Sequence, residues 1–354
     1  MHPAHQPLTA AQLKAEVGAL STQHRLTRGT SEYREGFIDA FVRVYGAKNE
    51  ARDIAKKKFF IGSSVAYSED QYIESACELS VANHVALSTA TNYEVDKKLG
   101  QSAGKKDVDV VYSLGPIKVV IEVKCPRERE IPPMIPTLDF AGRHPEADRM
   151  FAELRNLISQ AANVPAEQRQ LQLAQHKDNK LKDFLLLAHG KFPDEADFDR
   201  LAVLFVACGE DLGPWHGYLF ENQGLFTAAS FHPIAEYERT QVVILSNLKY
   251  FHAVCAAHHD WTLKNVFMLP CVNPRASPSI TGDLMSKGLA ILDHHLAPFS
   301  AYRPQSAPDV PLYVEDAIRL NHYVHAGLSE ADFSRYFPCT QRQGPKAAKP
   351  SGTP

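Results

Sequence analysis

The residues of this chain best placed for chemistry are two carboxylates and a lysine, Asp109, Glu122 and Lys124, set in a segment that reads as a buried strand pair. Unpaired charge inside apolar strands is costly, so these side chains need one another or a ligand. Carboxylates that reach one point are hard oxygen donors suited to Mg²⁺ or Mn²⁺, ions that keep several waters and take further oxygens from phosphate. A lysine beside them orients a water or holds a phosphate oxygen as negative charge develops. Together these residue types suit hydrolysis of a phosphodiester.

The elements that must position them form a hairpin. Ile117 to Val123 is β-branched and almost continuously apolar, as expected of a strand covered on both faces, and Gly115-Pro116 supplies the break before it. Alternation puts Glu122 and Lys124, two apart, on one face with Lys118 and Val120. A turn over Ser113 to Pro116 sets Tyr112 against Ile117 and Asp109 against Val120, which brings Asp109 to that face as well. Asp107 lies on the same face of its strand and is the rival acid. A slip of one residue would send Asp109 to the other side of the sheet.

Asp109 followed by Glu122-Val123-Lys124 on the next strand resembles the signature of the PD-(D/E)xK nuclease superfamily. The resemblance implies an α/β fold with a restriction-endonuclease-like core, α-β-β-β-α-β, in which a mixed central sheet is flanked by helices. The chain can be laid along that order from about Ser68 to Cys208. Ser68 to Gln71 is a capping box, with Tyr67 and Tyr72 as its hydrophobic staple, opening a helix through Ile73, Cys77, Val81 and Val85. Asn92 to Lys98 reads as the first strand, leading into the loop Gly100 to Gly104. After the hairpin, the proline-rich passage Pro126 to Pro136 cannot continue a central strand. A helix from Pro145 through Phe151, Leu154, Leu157, Ile158 and Ala161 is the expected second core helix. A further helix over Asn179 to His189 belongs to an insertion of about 126–199, and Leu201 to Cys208 is the last core strand.

The resemblance also implies roles. Asp109 and Glu122 would bind Mg²⁺, with Mn²⁺ as the alternative, assisted by a first-helix glutamate and the Val123 carbonyl. Glu78 is preferred to Glu74, because Val81 and Val85 follow it at the spacing that packs the helix on the sheet. Lys124 would position the attacking water and stabilise the pentacovalent phosphate. Gln160 is the available second-helix glutamine. The implied substrate is DNA in preference to RNA, and Lys97, Lys98, Lys105, Lys106, Arg127 and Arg129 bracket the site as backbone contacts. A non-catalytic nucleic-acid-binding or scaffold protein that keeps the fold is the alternative of a different class.

A second chemistry is suggested by Asp293-His294-His295, which resembles the triplet of the DHH manganese phosphoesterases, with His252, His258 and His259 nearby in sequence. That family's aspartate motifs on successive N-terminal strands have no counterpart, because the N-terminal region reads as helices. Neither a nucleophile elbow, a Walker A loop nor a dinucleotide fingerprint is present.

At 354 residues, 44% hydrophobic and 22% charged, the chain has the composition of an ordinary soluble globular protein. A net charge of -3 argues against indiscriminate coating of nucleic acid while leaving room for a local basic groove. No apolar stretch reaches the length of a membrane span and the first residues have no signal-peptide character, so no membrane partner and a cytoplasmic location are expected. The six cysteines form no Cys-x-x-Cys pair and are expected as reduced, buried thiols. The sequence carries no signal for oligomeric state.

Residues 1–66 form an N-terminal helical region with helices over Leu8–Leu20, Glu32–Tyr45 and Asn49–Phe60. Lys56, Lys57 and Lys58 close the last of these and complement its dipole. Residues 67–275 are the core, in which Gly217 to Phe226 and Asn265 to Val272 read as added strands around a helix at Ser246 to His258. Residues 276–338 are a mixed C-terminal extension, and 339–354 a tail too poor in apolar residues to pack.

Overall fold

In the computed structural model, residues 7–97, 107–127, 137–139, 147–160, 172–174, 177–193, 199–303 and 316–342 are described. Helices α1 (Ala10–Gly18), α2 (Arg25–Arg28), α3 (Ser31–Tyr45), α4 (Ala51–Phe59) and α5 (Glu69–Leu87) precede strands β1 (Thr91–Lys97), β2 (Val108–Leu114) and β3 (Ile117–Lys124). Next come β4 (Thr137–Asp139), α6 (Ala147–Gln160), β5 (Gln172–Ala174), α7 (Lys177–Lys191), β6 (Arg200–Ala207), α8 (Gly213–Phe220), β7 (Val242–Ser246), α9 (Leu248–Ala253) and β8 (Met268–Val272). Helices α10 (Gly282–Gly288), α11 (Leu296–Ala301), α12 (Asp316–His322) and α13 (Glu330–Tyr336) complete the fold.

The main sheet has six strands in the order β1-β2-β3-β6-β7-β8. Strand β2 is antiparallel to both neighbours, β3, β6 and β7 run parallel, and β8 turns back against β7. The short strands β4 and β5 pair with each other. A parallel neighbour cannot be reached by a hairpin, so the chain between β3 and β6 crosses over, with α7 as its last helix. Leu181, Phe184, Leu185 and Ala188 of α7 are buried against one face of the sheet with Val111, Val120, Leu204, Val206 and Leu245. The opposite face buries Val110, Tyr112, Val119, Ile121, Val203, Phe205 and Ile244 under α3, α4, α5 and α9. Coverage on both sides explains why β6 and β7 have no polar alternation.

The start of α5 follows the sequence in part: the Ser68 hydroxyl accepts from the Gln71 N–H at 3.4 Å and the rings of Tyr67 and Tyr72 lie 6.2 Å apart, but the Gln71 side chain donates to the Lys57 carbonyl at 3.5 Å and does not close the capping box. Other elements differ from expectation. Helix α7 packs on the sheet and leads into β6; on α6 Leu157 is exposed, and the side chains of Phe151, Leu154 and Ile158, with all of Ala161, lie outside the described residues. Gly217 to Phe226 is no strand: Pro214 at the first turn of α8 starts a helix that buries Trp215 and Leu219. The added central strand is β7, whose β-branched run Val242-Val243-Ile244 is wholly buried. Described residues after 275 pack on the sheet. Gly288 of α10 lies so close to β6 that a Cβ there would sit 2.6 Å from Leu201 Cδ2, and its carbonyl accepts from Tyr112 Oη at 3.1 Å. Cys255 and Cys339 are joined by a disulfide spanning 84 residues, while Cys77, Cys125, Cys208 and Cys271 are buried thiols outside any disulfide. No helix among the described residues is long and apolar enough to cross a membrane.

A buried polar knot ties α3 and α5 to α9 and to the turn that follows it. The Ser80 hydroxyl of α5 lies 3.0 Å from His252 Nε2 and 3.1 Å from His259 Nε2, and His252 Nδ1 meets the Tyr33 hydroxyl of α3 at 2.8 Å. Burial holds His252 well below the ordinary imidazole range and lowers His259 to about 4. Both imidazoles are therefore neutral when folded and take up protons on unfolding. The stability that His259 holds is complete above pH 6.5, the ordinary imidazole value, and is lost as pH falls from there towards 4. Wild type should lose about 3 kcal/mol over that window relative to His259→Gln. Thermal melts of both proteins from pH 7.5 to 4 check this, and parallel curves would contradict a neutral His259.

Candidate active site

Strand β3 places Glu122 and Lys124 on the face that α7 covers, since Val120 beside them packs there and Val119, Ile121 and Val123 pack on the other. Strand β2 supplies Asp109. The hairpin turn is tighter than expected, with Leu114 paired to Ile117 and only Gly115-Pro116 between. Gly115 has φ 59, the backbone that a two-residue turn with glycine in first place requires. Shortening the turn slides the register by two residues, an even number, so Asp109 keeps its face and gains a different neighbour. Val110 opposes Ile121, and one step further along the ladder Asp109 stands opposite Glu122, not Val120.

Glu122 is fully buried. Its Oε1 accepts from Lys124 Nζ and also from Lys191 Nζ at 2.5 Å, while its Oε2 is buried with no hydrogen-bond partner. Lys191 comes from the last turn of α7. Asp109 Oδ2 accepts the Val123 N–H at 2.7 Å. Burial, and then the charge of Glu122, push the Asp109 carboxyl up to about 6, against the pull of Lys191, Lys124 and the Val123 N–H. Burial lowers Lys124, but Glu122 and Asp109 outweigh it and hold the ammonium above its ordinary value.

A second charged set adjoins the first. Lys58 Nζ of α4 lies 2.9 Å from Glu78 Oε2 and 2.9 Å from Asp96 Oδ1. The β1–β2 register, Val95 to Val110 and Lys97 to Val108, brings Asp96 level with Asp109. Asp96 has φ 54, a left-handed backbone rare outside glycine and tolerated by aspartate. Burial, followed by repulsion from Asp109, raises Glu78 to about 7. Glu78 is therefore the first-helix acid that senses Asp109. Glu74, one turn earlier, is paired with Arg127 at 2.6 Å nearer the surface.

The remaining expected residues are dispersed. Asp107 precedes β2, with a buried Oδ1 that has no partner. Lys97 is bound to Glu94 on its own strand. Lys98, Lys105, Lys106 and Arg129 lie outside the described residues. Gln160 is exposed at the end of α6. The Asp-His-His triplet does not assemble a site: Asp293 faces Arg335 at 3.5 Å and His295 stacks on Phe267 in the core of the α7 face. His252 and His259 lie in the core of the other face, and His258 is exposed. Among the described residues, no three His, Cys, Asp or Glu side chains converge as a ready metal cluster. The close pair is Asp109 and Glu122, and two carboxylates are what Mg²⁺ ordinarily takes from a protein.

Lys191, Lys58 and Asp96 were not identified from the sequence. Lysines in a last helical turn complement the helix dipole, and nothing in local spacing separates these two from that ordinary role. No protein-family model, curated protein or solved structure matches the chain.

With its value raised to about 6, Asp109 is easier to bury protonated than ionised, so it destabilises the fold as pH rises from its ordinary value of 3.8 through 6. Asp109→Asn should therefore gain about 1–3 kcal/mol at pH 8 without added metal, with the gain vanishing towards pH 4. Melting curves at the two pH values are the measurement; a destabilised Asn variant at pH 8 would contradict the assignment.

Proposed function

We propose that the chain is a Mg²⁺-dependent nuclease that hydrolyses phosphodiester bonds of DNA on a restriction-endonuclease-like core. The observation that carries the proposal is the opposition of Asp109 and Glu122 on adjacent strands, with Lys124 beside them and one oxygen of the buried Glu122 carboxylate left without a donor. The order α5-β1-β2-β3, then β4, α6 and β5 before α7 and β6, with β2 antiparallel between β1 and β3 and β6 parallel to β3, supports the same reading.

The residues present fit the ion. Glu122 Oε2 and the Asp109 carboxylate are hard oxygens on neighbouring strands, and these two would hold Mg²⁺ or Mn²⁺, with the Val123 main chain and Glu78 next to them. When bound, such an ion supplies Lewis-acid polarisation of the phosphoryl oxygen and a more acidic water. Lys124, held two residues from Glu122 on a rigid strand, keeps an ammonium aimed at the same place and orients its donors towards the water and the phosphate oxygens. Covering of the sheet by α7 keeps the site poor in water, where a fixed charge acts more strongly than at the surface. Arg127, just past β3 and half exposed, is placed to meet a nucleic-acid backbone beyond the site.

One feature favours a non-catalytic reading: Glu122 already carries two lysines, as a purely structural ion-pair network would. The two readings separate on cleavage. Purified protein mixed with supercoiled plasmid and with linear single- and double-stranded DNA should cut with Mg²⁺ or Mn²⁺ and not with EDTA. Asp109→Ala, Glu122→Gln and Lys124→Ala should each lower the rate by about 10²-fold or more. Cleavage that persists in EDTA or in Lys124→Ala would remove the mechanism, and metal-independent DNA binding without cleavage would establish the scaffold reading.

A further inference from the structure

Lys191 is the cation of the site that the proposed chemistry does not yet use. It stands at the end of α7, 69 residues from Glu122 in sequence, and its ammonium lies 2.5 Å from the same Oε1 that Lys124 occupies. A lysine in a last helical turn commonly extends into solvent to complement the dipole. This one is turned inward, its side chain only 13% exposed.

The charges at Asp109, Glu122, Lys124 and Lys191 sum to zero when the acids are ionised. A divalent ion arriving on the two carboxylates adds two positive charges a few ångströms from two ammonium groups, and repulsion at that range in a partly buried site is strong. That repulsion weakens the hold of the ammonium groups on Glu122 Oε1. Lys124 is confined, because it sits on the same strand two residues along. Lys191 approaches from a separate element, the last turn of α7, so moving it leaves the strand that carries Glu122 undisturbed.

We propose that Lys191 is a displaceable substrate-binding lysine. It occupies Glu122 in the metal-free protein, is driven off by the divalent ion, and then takes a non-bridging oxygen of the phosphodiester. This rests on the nuclease reading and adds to it a second lysine contributed by the crossover helix. Two consequences of opposite sign follow. Removing Lys191 removes a competitor for the ion and also removes a contact to the phosphate.

The test uses the full chain as wild type, Lys191→Met and Lys191→Arg. Isothermal titration with Mn²⁺ should show the Met variant binding at least about tenfold more tightly than wild type, because a repelling charge is gone, with Arg close to wild type. Fluorescence anisotropy with a short DNA duplex in Ca²⁺ should show the Met variant binding about tenfold more weakly, the loss of one charge-assisted contact. On wild type alone, acylation by a soluble anhydride read by mass spectrometry should show Lys191 becoming more reactive on addition of Mn²⁺ and protected again when DNA is added, and this holds even if the Met variant does not fold. Unchanged or weaker Mn²⁺ binding in Lys191→Met, or Lys191 reactivity that Mn²⁺ does not raise, overturns the proposal. Wild type that binds and cleaves while Lys191→Met behaves identically defeats only the role of Lys191; wild type that binds no Mn²⁺ defeats the nuclease reading and this one with it.

Discussion

A carboxylate with no exposure to water, Glu122, sits in the third strand of a sheet covered on both faces. Its desolvation would be prohibitive without compensation, and the surrounding architecture supplies that from two directions: Lys124 along the same strand and Lys191 from the crossover helix. Neither lysine reaches the second oxygen. The result is a carboxylate paired twice on one oxygen and bare on the other.

The neighbouring acids extend the same logic outwards. Asp109 is raised by its own burial and by Glu122, and Glu78 by its burial and by Asp109. Each acid makes the next harder to ionise, and lysines interrupt the series at Lys58 and at the Lys124–Lys191 pair. The N-terminal helices thus join the site directly, because α4 delivers Lys58 to Glu78 and Asp96. The knot of Ser80, His252, His259 and Tyr33 fixes α3 and α5 against α9 and the turn that follows it and so sets where Glu78 stands. Packing of α10 against β3 and β6, where Gly288 admits no side chain, closes the other end of that face.

Much of this was legible in the chain. The β-branched run from Ile117 and the two-residue spacing of Glu122 and Lys124 place both side chains on one face whatever the turn, because alternation is a property of the strand itself. Asp109 kept its face despite a shorter turn only because the register slid by an even number of residues; its true neighbour, Glu122, was not readable. The packing of α7 on the sheet was likewise hidden, since apolar residues at helical spacing do not say which surface they meet. The run Gly217 to Phe226 reads as a strand for a related reason: short apolar stretches suit helix and strand equally, and Pro214 just before it is the better guide to the helix that forms. The Cys255–Cys339 pair joins residues that no spacing rule connects.

What the sequence determined by itself was therefore local: the hairpin, the shared face of Glu122 and Lys124, the capped start of α5, and a set of residue types suited to phosphate chemistry. Tertiary structure alone decided which distant cations meet those acids and which oxygen is left bare. The physical reason is reach. A strand or helix period relates residues within a few positions, whereas a lysine side chain spans the gap between elements, so its partner depends on how helices such as α4 and α7 are docked and not on anything encoded beside Lys58 or Lys191.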